Sequence, residues 1–402
     1  MRHRIAREDA ERYLAIGLAA AGDGDSEERV KLLVARSFLP FVFHGARPSQ
    51  EEVEPSFRTG EEAFAMAERL GRVDLQSAAL DGISDAHLSL GRYGPIGQVV
   101  TRRLELVPKL SDPYEVGDIY AVAAWWALNT GRYREAVELA DRGVREAMPR
   151  SSLLGLYCLD FRTAGHFRLG DWGAALDDVA LAEELLGDRR ETPPGFASMH
   201  LAIAAVIHDA RGDRGTADRY LDLVRWLEKA EEQFDPELTL WQSRLLARRG
   251  RHEDARALLE RPAAAESQHG RDEVLEAWCE VISEQGAWAE ANDVADRAGR
   301  HAGWAEVPPL ALYATRLEAR AAVAAGDVER GTSLLRSSAE GFAGLGAAWE
   351  EAITNLELAT ALTDLGADEQ ARMMLRDAVT VFDRLGSARE LARANDTLER
   401  LS

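Results

Sequence analysis

Three histidines recur at equivalent places in the chain and are the residues best suited to metal binding or proton transfer. His87, His166 and His208 each stand four residues before a glycine. Imidazole is a common metal ligand and a general acid or base near neutral pH. Equivalent places in successive repeats are spread along an array, however, and His200 lies about two helical turns from His208. We therefore predict packed histidines and no metal site.

Carboxylate pairs and glycine-rich segments are the other candidates for catalysis. Asp177 and Asp178 are adjacent, but acid–base catalysis needs a sheltered pair, whereas this chain is acidic throughout. The segment LGRYGPIG (90–97) follows no predicted strand, which favours a turn over a phosphate loop. The chain has no G-x-x-x-x-G-K-[ST], G-x-S-x-G, H-E-x-x-H or C-x-x-C motif. The sequence thus predicts no catalytic residue and no cofactor, and we expect a protein that is not an enzyme.

The composition is that of an acidic chain able to form a core. The 402 residues are 46% hydrophobic and 29% charged, with a formal net charge of −21. Phosphate backbones and anionic membranes attract clustered lysine and arginine, so this charge disfavours direct nucleic-acid and membrane partners. No apolar run approaches the ~20 residues that span a bilayer, and no signal-peptide core develops. Cys158 and Cys279 lie far apart and predict reduced thiols, so we expect a cytoplasmic protein.

A glycine recurs along the chain at intervals of 36 to 42 residues, at Gly91, Gly131, Gly170, Gly212, Gly250, Gly286, Gly326 and Gly366. The residue seven places before each glycine is always small: Ser84, Ala124, Thr163, Ala205, Ser243, Cys279, Ala319 and Ala359. Small residues let two helices approach within ~8–10 Å, and glycine permits a left-handed turn between them. A period in this range indicates a solenoid of stacked helix pairs.

Aromatic residues often stand two places after these linker glycines, as at Tyr133 and Trp172, and alanine is common five places after them. The segments NTGRYREA (129–136) and RLGDWGAA (168–175) resemble the tetratricopeptide repeat, although the period of about forty exceeds the usual 34. The resemblance implies helix–turn–helix pairs stacked in a superhelix that binds other proteins. Long repeats of this kind also resemble the arrays of bacterial STAND-type signal-transducing ATPases and cyclase-linked regulators.

We predict an all-α fold, an α-α superhelix of about eight to ten antiparallel helix pairs that forms one continuous solenoid. Residues 1–72 are expected to hold degenerate repeats with an irregular insert at 44–60, residues 73–387 the regular array, and residues 388–402 a capping helix. First helices are predicted near 73–90, 114–130, 151–169, 196–210, 236–249, 271–285, 308–325 and 347–365. Second helices are predicted near 94–107, 133–147, 172–186, 213–231, 252–260, 288–301, 328–343 and 368–385. Proline-containing breaks are read as loops within the array, at 189–196, 261–270 and 304–310.

The resemblance also places the first helix of each pair on a concave face. Residues 13, 10, 6, 3 and 2 places before the linker glycine then face a groove, and we predict a partner-binding set there: Asp118, Trp125, Asn129, Tyr157, Asp160, Arg168, Asp209, Arg244, Arg248, Glu276, Glu280, Tyr313, Arg316 and Arg320. Arginine, tyrosine and tryptophan are common at interface hot spots. The alternative is that carboxylates such as Glu276 and Glu280 pair with arginines of adjacent helices and hold the superhelix together.

Two functions are consistent with these patterns. The first is a non-catalytic scaffold that binds a protein or peptide partner in the concave groove. The second is a regulatory or sensor fragment of a signal-transducing ATPase, an adenylate-cyclase-linked regulator or a transcriptional regulator whose output domain is encoded elsewhere; a chain that starts inside a repeat favours it. Residues 5–21 include Tyr13 and Ile16 with no preceding repeat to cover them, so we expect this edge to fray or to pair with another chain.

Overall fold

The computed structural model describes residues 6–42, 50–149, 152–187, 198–231, 236–261 and 270–401. Within these ranges every regular element is a helix, and each helix packs mainly against its neighbours in the sequence. The chain is therefore an all-α solenoid of helix pairs, as predicted. None of the described helices combines the length and the apolar character needed to cross a membrane.

The helices divide into two halves of the array. The first part of the chain contains α1 (Arg7–Ala21), α2 (Glu27–Ser37), α3 (Leu39–Val42), α4 (Gln50–Arg69), α5 (Val73–Ser89), α6 (Ile96–Leu106), α7 (Pro113–Asn129), α8 (Tyr133–Ala147), α9 (Ser152–Leu169), α10 (Trp172–Leu186), α11 (Met199–Ala210) and α12 (Arg214–Glu231). The second part contains α13 (Pro236–Arg248), α14 (His252–Leu259), α15 (Arg271–Gln285), α16 (Trp288–Ala305), α17 (Pro308–Ala324), α18 (Val328–Leu345), α19 (Ala348–Asp364), α20 (Asp368–Leu385) and α21 (Ala388–Arg400). We refer to α5–α12 as the first half and to α13–α21 as the second half.

The repeat register predicted from the glycines is confirmed. All eight linker glycines have positive φ, for example +79° at Gly131, where a residue with a Cβ would be strained. The eight small residues seven places earlier are all buried, and Ala124, Ala205 and Ala319 are at most 1% exposed. The predicted helices of the array agree with the observed ones to within a few residues, except that the helix predicted over 288–301 continues to Ala305. The predicted loops at 189–196 and 262–269 lie outside the described residues.

The irregular insert predicted at 44–60 is wrong for residues 50–60, which form the first half of α4. The prediction relied on the proline, glycine and glutamate of this segment. Val53 and Phe57, one helical turn apart, instead pack with Ala86 and Leu90 of the α5 region, and this burial outweighs the backbone hydrogen bond that Pro55 removes. Residues 44–49 lie outside the described residues. At the amino-terminal edge, α1 has no buried residue, so its pairing with another chain stays a prediction.

The array closes on itself, because turns of the first half contact turns of the second half. The backbone N–H of Tyr93 donates to the carbonyl of Ala305 at 2.9 Å, and Arg211 Nε donates to the carbonyl of Leu385 at 3.0 Å. Between them, Arg384 donates to the carbonyl of Gly170 at 3.2 Å, and α9 packs against α19. The interior-facing helices of one half are therefore covered by those of the other.

Candidate functional site

Arg168, at the carboxyl end of α9, joins the two halves across this interior. Its guanidinium donates to the Glu350 carboxylate of α19 at 2.9 Å, to the Tyr313 hydroxyl of α17 at 2.6 Å and to the Glu276 carboxylate of α15 at 2.8 Å. The same guanidinium lies over the Trp241 ring, 5.3 Å from its centroid. One side chain of the first half thus contacts four helices of the second half.

Arginines of the second half continue the same pattern. Arg244 is fully buried and donates to Glu276 and to Glu280, each at 2.8 Å. Arg316 forms a two-pronged pair with Glu357, at 2.7 and 2.9 Å. We call the whole set the paired network, which consists of Arg168, Arg244, Arg248, Arg316, Arg320, Glu276, Glu280, Glu350, Glu357 and Glu390.

The arginines lower the pKa of two buried carboxylates of the paired network, those of Glu350 and Glu357. Burial alone would raise the pKa of Glu357, but the charges of Arg316 and Arg320 and the hydrogen bond from Arg316 bring it down to about 2. The pKa of Glu350 is also lowered, because Arg168 and Arg244 outweigh the effect of its burial. The network therefore consists of ions matched in charge, which hold the interior together.

A small pocket opens beside this network, and its charges are different. Residues of the first half, including Asn129, Tyr133 and Arg168, line one side, while α13, α15 and the start of α17 line the other. Four carboxylates lie in its wall, and we call the site that they define the acidic pocket: Glu237 of α13 and Asp272, Glu273 and Glu276 of α15. The pocket encloses about 40 Å³, enough for a small polar group.

Asp272 and Glu273 have different contacts from Glu276, which accepts from Arg168 and Arg244. Asp272 accepts a hydrogen bond from the Tyr93 hydroxyl at 2.7 Å. Oε2 of Glu273 has no hydrogen-bond partner among the described residues. Burial, together with the charge of Asp272, raises the pKa of the Glu273 carboxyl well above its usual range.

The predicted partner-binding residues do lie in the interior, but they do not line an open groove. Eight of the fourteen predicted residues belong to the paired network or contact it: Arg168, Arg244, Arg248, Glu276, Glu280, Tyr313, Arg316 and Arg320. Seven of the fourteen are buried: Trp125, Asp160, Arg168, Arg244, Glu276, Tyr313 and Arg316. The second half of the array covers the first, so partner binding by these residues stays a prediction. The alternative interpretation, that Glu276 and Glu280 pair with arginines of adjacent helices, is confirmed.

Three of the remaining predicted residues contact residues of their own helix or of a nearby turn. Asn129 lines the pocket and donates to the Trp125 carbonyl at 2.9 Å, and the Trp125 ring packs 5.2 Å from that of Tyr93. Tyr157 packs edge-on against Phe161, with 5.0 Å between the centroids.

Three predicted carboxylates are hydrogen-bonded to residues of other helices or turns. Asp118 accepts from Arg103 at 2.8 Å, and Asp209 accepts from Arg249 at 2.7 Å. Asp160 accepts from the backbone N–H of His200 at 3.0 Å. These bonds stabilise the helix stack, and none of the three is directed at the acidic pocket.

The sequence analysis missed several residues of this interior, among them Glu237, Glu350 and Glu390. Glu237 stands thirteen places before Gly250, the same place as Asp118 and Tyr157 in their repeats, so the register could have identified it. Glu350 and Glu390 lie at the starts of α19 and α21, outside the places assigned to the groove. Contacts between helices that are far apart in the sequence bring these helix starts to Arg168 of α9 and Arg248 of α13.

No metal site is formed by the described side chains: no three histidine, cysteine or acidic residues among them come together closely enough to hold an ion. The histidines of the repeat stay apart along the array. Burial, with the charge of Arg92, lowers the pKa of His87 to about 4, so this imidazole is neutral near pH 7.

Comparisons with known proteins match this chain only at the level of solved structures. No family model matches it, and neither does any curated protein. One of the matching structures is a "circular tandem repeat protein with novel repeat topology and enhanced subunit contact surfaces", which is 15% identical over 98% of this chain and 88% of that chain, with a TM-score of 0.18. The assignment of the fold therefore comes from the helices and contacts of the chain itself.

Proposed function

We propose that the protein is a non-catalytic regulatory scaffold that binds a protein or peptide partner, and that the contact between its two halves controls this binding. The observation that supports the proposal is the set of bonds from Arg168 to Glu276 and Glu350. Stacked repeats normally contact only their neighbours, so contacts between distant repeats form a separate layer of structure. That layer can break while the helix pairs stay folded.

Separation of the halves would break the bonds from Arg168 to Glu276, Glu350 and Tyr313 and would expose the predicted groove to a partner that competes for the remaining pairs. An acidic partner segment would then meet Arg244 and Arg316, and a basic one would meet Glu276 and Glu280. The bonds inside the closed array occupy the same groups, so they compete with the partner. The closed form is thus the inhibited form in this proposal.

The test uses a variant that loosens the closure without leaving a net buried charge. Arg168→Met combined with Glu350→Gln removes the bond between α9 and α19, while Arg244 still pairs with Glu276. A matched control is Arg330→Met with Glu318→Gln, because this pair is exposed. Small-angle scattering should give a larger radius of gyration for the first variant only.

Partner binding is the decisive measurement. A protein captured from native lysate and then purified should bind the loosened variant at least about tenfold more tightly than the wild type, which corresponds to ~1.4 kcal/mol. The control variant should bind like the wild type. Equal affinities for all three proteins would contradict the proposal and would direct the search to the convex face.

A second candidate is the sensor part of a cytoplasmic regulator, such as a signal-transducing ATPase, a cyclase-linked protein or a transcriptional regulator, with its output domain in another chain. The acidic pocket favours it, because residues of both halves line the pocket and an occupant would contact both. A neighbouring reading frame whose nucleotide-binding or cyclase product co-purifies with this chain would support this candidate. Co-purification that is unaffected by loosening the closure would contradict it.

A further inference from the structure

The acidic pocket has the form of a binding site. Its rim includes Asn129 and Glu237, which are half-buried, and its inner wall holds the buried residues Asp272, Glu273 and Glu276. Leu240, Pro309 and the Trp241 ring provide apolar surface between the rim and this wall. Apolar walls with a few convergent polar groups are typical of small ligand sites.

Glu273 is the least compensated carboxylate of the wall. Arg168, the arginine among the lining residues, already donates to Glu276, Glu350 and Tyr313. Glu273 is only 7% exposed, and its Oε2 has no hydrogen-bond partner among the described residues. A buried carboxylate in this state is costly, so it either takes up a proton or is neutralised by an occupant.

The geometry selects the kind of cation. A metal ion needs several ligands around one point, and the described acidic side chains do not converge in that way. Ammonium and guanidinium groups carry several donors that point in different directions, and their aliphatic stems pack on apolar surface. The space of about 40 Å³ suits such a group and is too small for a folded segment.

We propose that the acidic pocket binds an organic cation, an ammonium or guanidinium group on a short aliphatic chain, with Glu273 as its principal partner. The inference rests on the proposed function only for its regulatory consequence, since an occupant in contact with both halves would stabilise the closed array. Such a group can belong to a free amine or guanidine, or to a lysine or arginine side chain of a partner segment. Both sources offer the same chemistry to Glu273.

Calorimetric titration of the full chain tests the proposal. The probes are butylguanidinium and butylammonium, with 1-pentanol as a neutral analogue and calcium chloride as an inorganic cation. Two capped peptides distinguish the sources: one has a single arginine among alanines and the other has citrulline in its place. We expect the two organic cations to bind, and pentanol and calcium to bind at least tenfold more weakly. Tighter binding of the arginine peptide than of butylguanidinium identifies a partner side chain as the ligand, and the reverse order identifies a free small molecule.

Glu273→Gln is the decisive variant, with Glu340→Gln on the exposed face of α18 as its control. Glu273→Gln should weaken cation binding at least tenfold and should raise the melting temperature of the free protein, because it removes an unpartnered buried charge. A variant that was merely misfolded would melt lower. Binding that is unchanged in Glu273→Gln, or equal binding of pentanol or calcium, would overturn the proposal.

Small-angle scattering distinguishes a failure of this inference from a failure of the proposed function. If butylguanidinium binds and the radius of gyration of the Arg168→Met, Glu350→Gln variant falls, both stand. If the cation binds in a Glu273-dependent way with no change in the radius of gyration, the ligand site stands and its regulatory consequence is wrong.

Discussion

The paired network and the acidic pocket lie side by side in one interior, but they differ in how their buried charges are compensated. In the network, Arg244 and Arg316 each face carboxylates within hydrogen-bonding distance, and the pKa of Glu357 beside Arg316 is lowered. In the pocket, Oε2 of Glu273 has no hydrogen-bond partner among the described residues, and the pKa of this carboxyl is raised by burial first and then by Asp272. Glu276 belongs to both regions, which shows how close they are.

This difference between paired and unpaired buried charges distinguishes a structural role from a binding role. Charges that are matched inside a protein fix the relative positions of the helices that carry them, and a partner can reach them only when those helices move apart. A charge that is left unmatched lowers stability and marks a place where a ligand of opposite charge would be bound. In our proposal, the bonds from Arg168 hold the array closed, and an occupant of the pocket would stabilise the closed form.

The largest effect is expected from breaking the network at its most buried member. Arg244→Ala leaves Glu276 and Glu280 without this partner, and the loss of one member of a buried pair costs about 3–5 kcal/mol. Denaturant unfolding measures this loss. The control, Arg297→Ala, removes an exposed pair with Asp293 and should cost at most about 1 kcal/mol. Equal losses would mean that the network does not hold the interior together.

Acid should weaken the network through Glu357, whose pKa is lowered from 4.5 to about 2 in the folded protein. Its contribution is fully present above the unfolded pKa and is lost as the pH falls from about 4.5 towards 2, by at most about 3 kcal/mol. The difference in the free energy of unfolding between the wild type and Glu357→Gln should therefore shrink over this window. A constant difference between pH 6 and pH 3 would contradict the pairing.

Acidification should have the opposite effect on the contribution of Glu273 to the free energy of unfolding. The folded pKa of Glu273 lies above the unfolded value, so ionisation of this group opposes folding once the pH exceeds about 4.5. Glu273→Gln should accordingly be more stable than the wild type at neutral pH, and this advantage should shrink as the pH falls through the folded pKa. Denaturant unfolding at several pH values measures it. An advantage that grew on acidification would refute the comparison between the two regions.

The smallest effect is expected from a substitution that changes packing and leaves every charge in place. Ala205 of α11 is 1% exposed at a helix crossing, so Ala205→Leu overpacks the pair and should cost about 1–3 kcal/mol at any pH between 4 and 7. Thermal unfolding checks this value. A variant as stable as the wild type would mean that the crossing tolerates a larger side chain and that the repeat register has room to shift.

The sequence could predict the local units because glycine spacing and small residues report on neighbouring helices. The eight linker glycines and the buried Ala124, Ala205 and Ala319 confirm that register. The same register placed Arg168, Arg244 and Glu276 in the interior, but not opposite one another. The pairing of Arg168 with Glu350 depends on the contact between α9 and α19, and no local pattern encodes a contact across 182 residues.

The helix at 50–60 shows a second limit of the sequence patterns. Proline and glycine indicated an irregular segment there, and tertiary packing of Val53 and Phe57 overrode that local preference. The acidic pocket shows a third limit of the sequence patterns. Glu237 and Glu273 share the same place in successive repeats, but the burial of Glu273 follows only from how the helices pack around it.

The bonds between distant turns also bear on how the chain folds. A solenoid whose repeats contact only their neighbours can nucleate anywhere and can lose its end repeats one at a time. Here the backbone N–H of Tyr93 donates to the carbonyl of Ala305, and Arg211 donates to the carbonyl of Leu385. Because these bonds join the two halves, ordering of the first half is coupled to ordering of the second half. Closing loops of this length carries an entropic cost before the contacts form, which slows folding and makes unfolding more cooperative than the repeat architecture alone would give.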